Sequence, residues 1–246
     1  MPSAAIFRAV ASLAALSVLC ASARAADLSP FEASYGWSWH GATVAVSTLK
    51  LENRGGNTWA YVSTTEPRGL GRLYPYSPRL TSLLRVTEHG IEPQHFRADA
   101  GNKDRDADVD FNWETRRATG TYEGVAVDLP IKDGVQDDLS VQIELIVDLL
   151  RGKTPDTLWL IDKNTIRDYH YQREGDETLD TPLGHIATTI YSSQHTGSPR
   201  ITRFWCAPSL GFLPMKVEQK RIDSVEWTMD IRTLNRNQAF GSVTPR

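Results

Sequence analysis

Cysteine is nearly absent: the 246 residues include two, Cys20 and Cys206, and the first lies in a segment read below as a removable leader. A chain left with one cysteine has no internal disulfide, so a hydrophobic core must hold it together. An excess of positive charge is also missing. Lys and Arg number 27 against 30 Asp and Glu, for a formal net charge of −3, and nucleic-acid binding, which needs a clustered basic surface, is not expected. Beyond the first 25 residues no apolar run approaches the roughly 20 residues that a membrane-spanning helix requires, so the chain does not read as an integral membrane protein. Catalytic signatures are lacking too. There is no G-x-S-x-G elbow, no H-E-x-x-H, no C-x-x-C and no phosphate-cradling glycine loop. No catalytic residue and no cofactor is implied. What is there, 40% hydrophobic and 23% charged residues, is the composition of an ordinary folded protein.

The N-terminus reads as an address. Met1 to Arg8 carry one positive charge, Ala9 to Ala21 are apolar, and Ala23-Arg24-Ala25 follows. A basic start, a short apolar stretch and a small-x-small site together describe a secretory signal peptide over residues 1–25. Cleavage after Ala25 discards Cys20, and Leu19 before it is too large for a lipoprotein signal. The remainder reads as one domain, 26–234, with a loose tail at 235–246.

From Phe31 onward the dominant period is two. Phe31, Ala33, Tyr35, Trp37 and Trp39 alternate with Glu32, Ser34, Gly36 and Ser38, as in a strand with one apolar and one wet face. Further strands are expected at 43–51, 59–63, 80–87, 91–98, 106–113, 118–122 and 125–129. Six more follow at 158–161, 166–173, 185–192, 201–205, 213–220 and 225–234. Turn signals recur about every 8–12 residues, the spacing of a sandwich, barrel or curled antiparallel sheet. One segment breaks the period. Leu139, Ile143, Ile146, Val147 and Leu150 recur at helical spacing, with Asp137 or Asp138 to cap the start and Arg151-Gly152 to end it. Val141, Leu145 and Leu149 make the other side apolar as well, which predicts a widely buried helix at about 137–151 lining or plugging the concave face of the sheet.

The remaining motifs yield little chemistry. Asp104, Asp106, Asp108 and Asp110 suggest a calcium loop, but such a loop needs Gly at its sixth position and an acid at its twelfth. Both registers fail, and Ala107, Val109, Phe111 and Trp113 alternate with the acids as on a half-solvated strand. No metal site is expected. His170, between Tyr169 and Tyr171, sits in an alternating strand and reads as structural. Cys206 lies between Trp205 and Ala207 and reads as a small buried hydrophobe. The loop Arg68 to Arg79 mixes three Arg with Leu70, Leu73, Tyr74 and Tyr76, which makes it either a lip over a cavity or a packed connection.

Five segments in order carry a resemblance: Pro30-Phe31-Glu32-Ala33-Ser34-Tyr35, Gln136-Asp137-Asp138-Leu139-Ser140, Thr181-Pro182-Leu183-Gly184, Phe204-Trp205-Cys206-Ala207-Pro208 and Leu213-Pro214-Met215-Lys216-Val217. Together they resemble the bacterial envelope family named domain of unknown function 3108, over roughly Pro30 to Leu234. Asp138 and Cys206 depart from its pattern. The resemblance implies a periplasmic protein of a Gram-negative bacterium, mainly β, with one strongly curved antiparallel sheet in a spiral, half-barrel or open barrel. It carries over no catalytic residue. Three readings stay open: an envelope module holding a lipid or other apolar ligand, a scaffold meeting another envelope protein or lipoprotein, and a hydrolase with an unrecognised site. For the first, Trp37, Trp39, Trp59 and Tyr61 are expected to line the cavity, with Tyr74 and Tyr76 at its lip.

Overall fold

The computed structural model describes residues 28–73, 76–101 and 103–236. The segment expected to be a leader, Tyr74 and the residues beyond Arg236 lie outside them. Eight strands come first: β1 (Phe31–Trp39), β2 (Ala42–Gly55), β3 (Thr58–Pro67), β4 (Arg79–Val86), β5 (Ile91–Asp99), β6 (Ala107–Asn112), β7 (Arg117–Tyr122) and β8 (Val125–Pro130). A two-residue strand β9 (Val135–Gln136) leads into helix α1 (Ser140–Leu150). Six more strands follow: β10 (Thr157–Asp162), β11 (Thr165–Thr181), β12 (Gly184–His195), β13 (Arg200–Ala207), β14 (Leu213–Arg221) and β15 (Ser224–Asn235). Every strand expected from the alternation is present. β9 is an addition too short to show a period, and Asn235, expected in the tail, ends β15.

All fifteen strands share one sheet, ordered β8-β7-β6-β5-β4-β3-β2-β1-β15-β14-β13-β12-β11-β10-β9. The chain walks outward from β1 to one edge, crosses through α1 to the other, and walks back until β15 pairs with β1. Neighbours are antiparallel except β9 and β10. The strands bulge at Ser34/Tyr35, Trp37/Ser38 and Arg173/Gly175, among other places, and each bulge adds twist and bend. The sheet curls into an open trough rather than a closed barrel. Its edge regions approach each other: the Asp128 N–H on β8 donates to Asn164 at 3.2 Å, and Lys163 pairs with Glu123 at 3.0 Å.

The helix lies in the trough and is apolar on two sides because it has two walls to cover. Ile143, Ile146 and Val147 join the main core with Phe31, Tyr35, Leu84 and Phe96. Val141, Leu145 and Leu149 join a second cluster with Leu158, Tyr171, Tyr191 and Cys206. Its polar attachments are one-sided. Gln136 donates to the Ile91 carbonyl at 2.9 Å, Ser82 donates to Asp137 at 2.7 Å, and Arg151 donates to the Thr87 carbonyl at 2.6 Å. The Ile91 N–H donates to Glu144, and Tyr122 donates to Asp138. All of these partners lie on β4 to β7 or the turn between β4 and β5. Polar groups therefore fasten α1 to the first arm of the sheet, while its contact with the second arm is apolar.

Candidate functional site: a cavity between the helix and the curved sheet

Between α1 and the inner face of the sheet lies a cavity of about 470 Å³, within the range of roughly 300–1,000 Å³ typical of small-ligand sites. Strand alternation builds its walls. On β1 and its neighbours, Tyr35, Trp37, Leu49, Tyr61, Trp227 and Met229 point inward from both sides of the β1–β15 pairing. Tyr169, Tyr171 and Phe204 face them from the second arm, and Val141, Leu145 and Ile146 come from α1.

The polar groups among these walls largely satisfy one another. Trp37 Nε1 donates to Ser47 Oγ at 2.6 Å, and that hydroxyl lies 2.6 Å from Thr65 Oγ1. Tyr61 donates to Gln142 at 3.0 Å, Tyr35 to the Pro214 carbonyl at 2.9 Å, and Trp227 to Gln219 at 3.1 Å. Burial pushes the Tyr35, Tyr61 and Tyr171 hydroxyls above their ordinary range, so they stay protonated. Asp138 is the one lining side chain that carries a formal charge, and no Lys, Arg or His is among the described lining residues. Burial pushes its carboxyl up to about 6 although Tyr122 donates to it, and Asp137, Asp162 and Glu123 push the same way. The cavity thus offers hydroxyls, amides and one readily protonated carboxyl, with no cation to meet an anion.

The residues expected as lining separate by position. Trp37 and Tyr61 line the cavity. Trp59 is buried in the adjoining core. It stands two residues from Tyr61 on the same face, nearer the β2–β3 turn. Trp39 ends β1 beyond the bulge at Trp37/Ser38; it is 58% exposed and packs edge-on against His40. Tyr76 is exposed and packs against Gly101, and Tyr74 is outside the described residues. Sequence reasoning placed Tyr35 on the apolar face of the first strand but did not name it, Leu49, Trp227 or Met229 as lining. The signal was their shared parity on β1, β2 and β15, usable only once the β1–β15 pairing is known.

Other chemistry is placed on the outer face or spent in pairs. Asp108 pairs with Arg97, Asp110 lies 2.8 Å from His95, and Asp106 accepts the Ala100 N–H. No three His, Cys, Asp or Glu side chains converge as metal ligands among the described residues. His170 points outward, opposite to Tyr169 and Tyr171, with Thr157 at 3.1 Å from one ring nitrogen and Asp168 at 3.0 Å from the other. That Asp168 oxygen also accepts from Thr196 at 2.6 Å, and the four side chains linked in this way stand on an open outer surface, three on strands and Thr196 in the turn after β12. Cys206 is fully buried, and burial pushes its thiol up, away from nucleophilic thiolate. No helix among the described residues is long and apolar enough to cross a membrane.

Comparison with known proteins bears on fold and family. A β-barrel-like protein of the domain of unknown function DUF1849 from Brucella abortus superposes with a TM-score of 0.54 at 12% identity, over 85% of this chain and 98% of that one. A protein with a YmcC-like fold from Bacteroides fragilis gives 0.38 at 11% identity over 85% and 97%, and MucB gives 0.37 at 9% identity over 87% and 56%. No curated protein matches the chain. The profile of the proteins of unknown function DUF3108 matches residues 30–229, and the chain belongs to that family.

Proposed function

We propose that the protein is a non-enzymatic module of the bacterial cell envelope that holds a lipid or other apolar ligand in the trough between α1 and the sheet. The observation that carries this reading is the cavity of about 470 Å³ beside α1, walled largely by aromatic and aliphatic side chains. Its chemistry favours an uncharged amphiphile. The apolar walls take a hydrocarbon body, and Gln142, Ser47 and the Asp138 carboxyl offer hydrogen bonds to a hydroxyl, ester or amide head. A buried phosphate or carboxylate would find no cation there and would face Asp138. The leader-like N-terminus supports export, and periplasmic residence follows from it in a Gram-negative host.

Native mass spectrometry of protein isolated from its own periplasm tests the reading. A reproducible adduct of lipid mass is expected, on a chain beginning at Ala26. Val217→Trp, which projects an indole from β14 into the cavity, should retain the β-sheet circular dichroism and lose the adduct. Adduct-free protein whose melting temperature no added lipid raises would overturn the proposal.

A further inference from the structure

We infer that the end of the trough where the cavity opens is a membrane-docking rim. The register places the turns β1–β2, β3–β4, β12–β13 and β14–β15 at one end of the sheet, since Trp39 pairs with both Ala42 and Trp227, and Arg200 with Arg221. The partly exposed cavity residues Trp37, Thr65, Thr202, Gln219 and Trp227 lie within three residues of these strand ends, whereas the fully buried Tyr35, Tyr61 and Leu213 lie deeper. The mouth therefore faces these turns.

Exposed apolar side chains gather at the same end. Leu73 is 78% exposed, Ile222 75%, Leu70 69% and Trp39 58%, and Tyr76, Val125 and Val225 stand on or beside turns of the same end. At the opposite end, Trp113, Leu183, Leu210 and Phe212 are tucked against the two core clusters. Of the large exposed apolar residues among the described ones, only Leu83 lies away from the mouth end.

The exposure of Leu70 and Leu73 is built in. Their turn, Gly69–Leu73, is clamped on β2 by the Arg68 N–H donating to the Val44 carbonyl at 2.7 Å. A Cβ on Gly71 would come within 1.9 Å of that same carbonyl oxygen, so only glycine lets the turn lie this close, with both leucines outward. Charge and dispersion decide the occupant. Arg68 is paired with Glu66 at 2.6 Å, which leaves Arg72 and Arg79 of residues 67–80, a stretch without an acid, to meet an anionic lipid surface. The apolar tips are spread over several turns around an opening, Leu70 and Leu73 on one, Ile222 and Val225 at another and Trp39 at a third, mixed with Arg, Trp and Tyr, the residue types that settle at a bilayer interface.

The rim goes beyond what occupies the cavity, and one flotation assay tests it separately. The probe is vesicles of phosphatidylethanolamine and phosphatidylglycerol in three-to-one ratio, with residues 26–246. The wild-type chain should float, Leu70→Ser/Leu73→Ser should lose about tenfold in partition, and Leu83→Ser should match the wild type. Wild-type protein that stays in the soluble fraction, or a double variant that floats equally well, would refute the rim. So would a double variant that floats normally but loses self-association in sedimentation velocity, because the rim would then be an interface between copies. Lipid adducts in native mass spectra of the same proteins report on the cavity alone, so loss of one property leaves the other readable.

Discussion

Glu144 is a carboxyl placed where water hardly reaches. It lies against Gly90, whose hydrogen in place of a Cβ leaves room that the Glu144 oxygens take up at 2.4 and 2.9 Å from where a Cβ would stand. Burial pushes the carboxyl up to about 7, against the opposing pull of the Ile91 N–H. The unfolded chain would release that proton near pH 4.3. Between these values the folded state holds a proton that the unfolded state has lost, so this group costs stability as pH rises through the window. Asp138 acts in the same direction between about 3.9 and 6. Glu144→Gln keeps an oxygen for the Ile91 N–H and removes the titration. The variant should melt close to wild type at pH 4 and several degrees higher at pH 8, as measured by differential scanning calorimetry. A wild type that gains on the variant as pH rises would show that the ionised carboxylate is stabilising instead.

At the scale of elements, α1 depends on its first turn. Asp137 Oδ1 accepts the Leu139 and Ser140 N–H groups at 2.8 Å each, and Ser140 Oγ accepts the Asp137 N–H at 2.8 Å. A reciprocal cap of this kind satisfies donors that the helix itself leaves open. Asp137→Ala also strands the buried Ser82 hydroxyl, and should cost about 2–3 kcal/mol in urea unfolding, with Asp137→Asn losing less. A loss within error of zero would mean that water replaces the cap.

The helix was legible in the sequence from its run of 3.6-residue period, and its cap was narrowed to Asp137 or Asp138, between which only the hydrogen bonds of Asp137 decide. The strands of the alternating sheet, each of which buries one face, were legible too. The cavity was only half legible. Trp59 and Tyr61 share a face and a chemistry, yet one fills the core and the other borders open space; a pattern of apolar residues does not say whether the facing wall touches them. Alternation put Trp39 on the right face, opposite Trp227, but it is the last residue of β1, where no wall stands over it and it is left exposed. Ile222 went unremarked because a lone apolar residue in a turn has no period.

At the scale of the molecule, the sheet is a string of hairpins with one long-range seam. Most strands pair with a neighbour in sequence, and β1 with β15 joins residues some 200 positions apart, as in Glu32 against Asn235. The ends of the described chain therefore lie side by side. A circular permutant that links these ends through a short flexible segment and reopens the chain in the β11–β12 turn, at Pro182-Leu183, should fold to the same circular-dichroism spectrum and keep lipid adducts. Loss of structure in that permutant, with a second opened at the β6–β7 turn behaving alike, would mean that the native order of hairpin formation is required.

The seam also sets a timetable. A polypeptide threaded across a membrane from its N-terminus delivers β1 first and β15 last, so β1 waits with an unpaired edge until nearly the whole chain has arrived. Such an edge is a template for pairing with other chains. Under the export proposed above, assembly of the trough is thus coupled to completion of transport, and a chain cut short anywhere before β15 lacks the strand that pairs with β1.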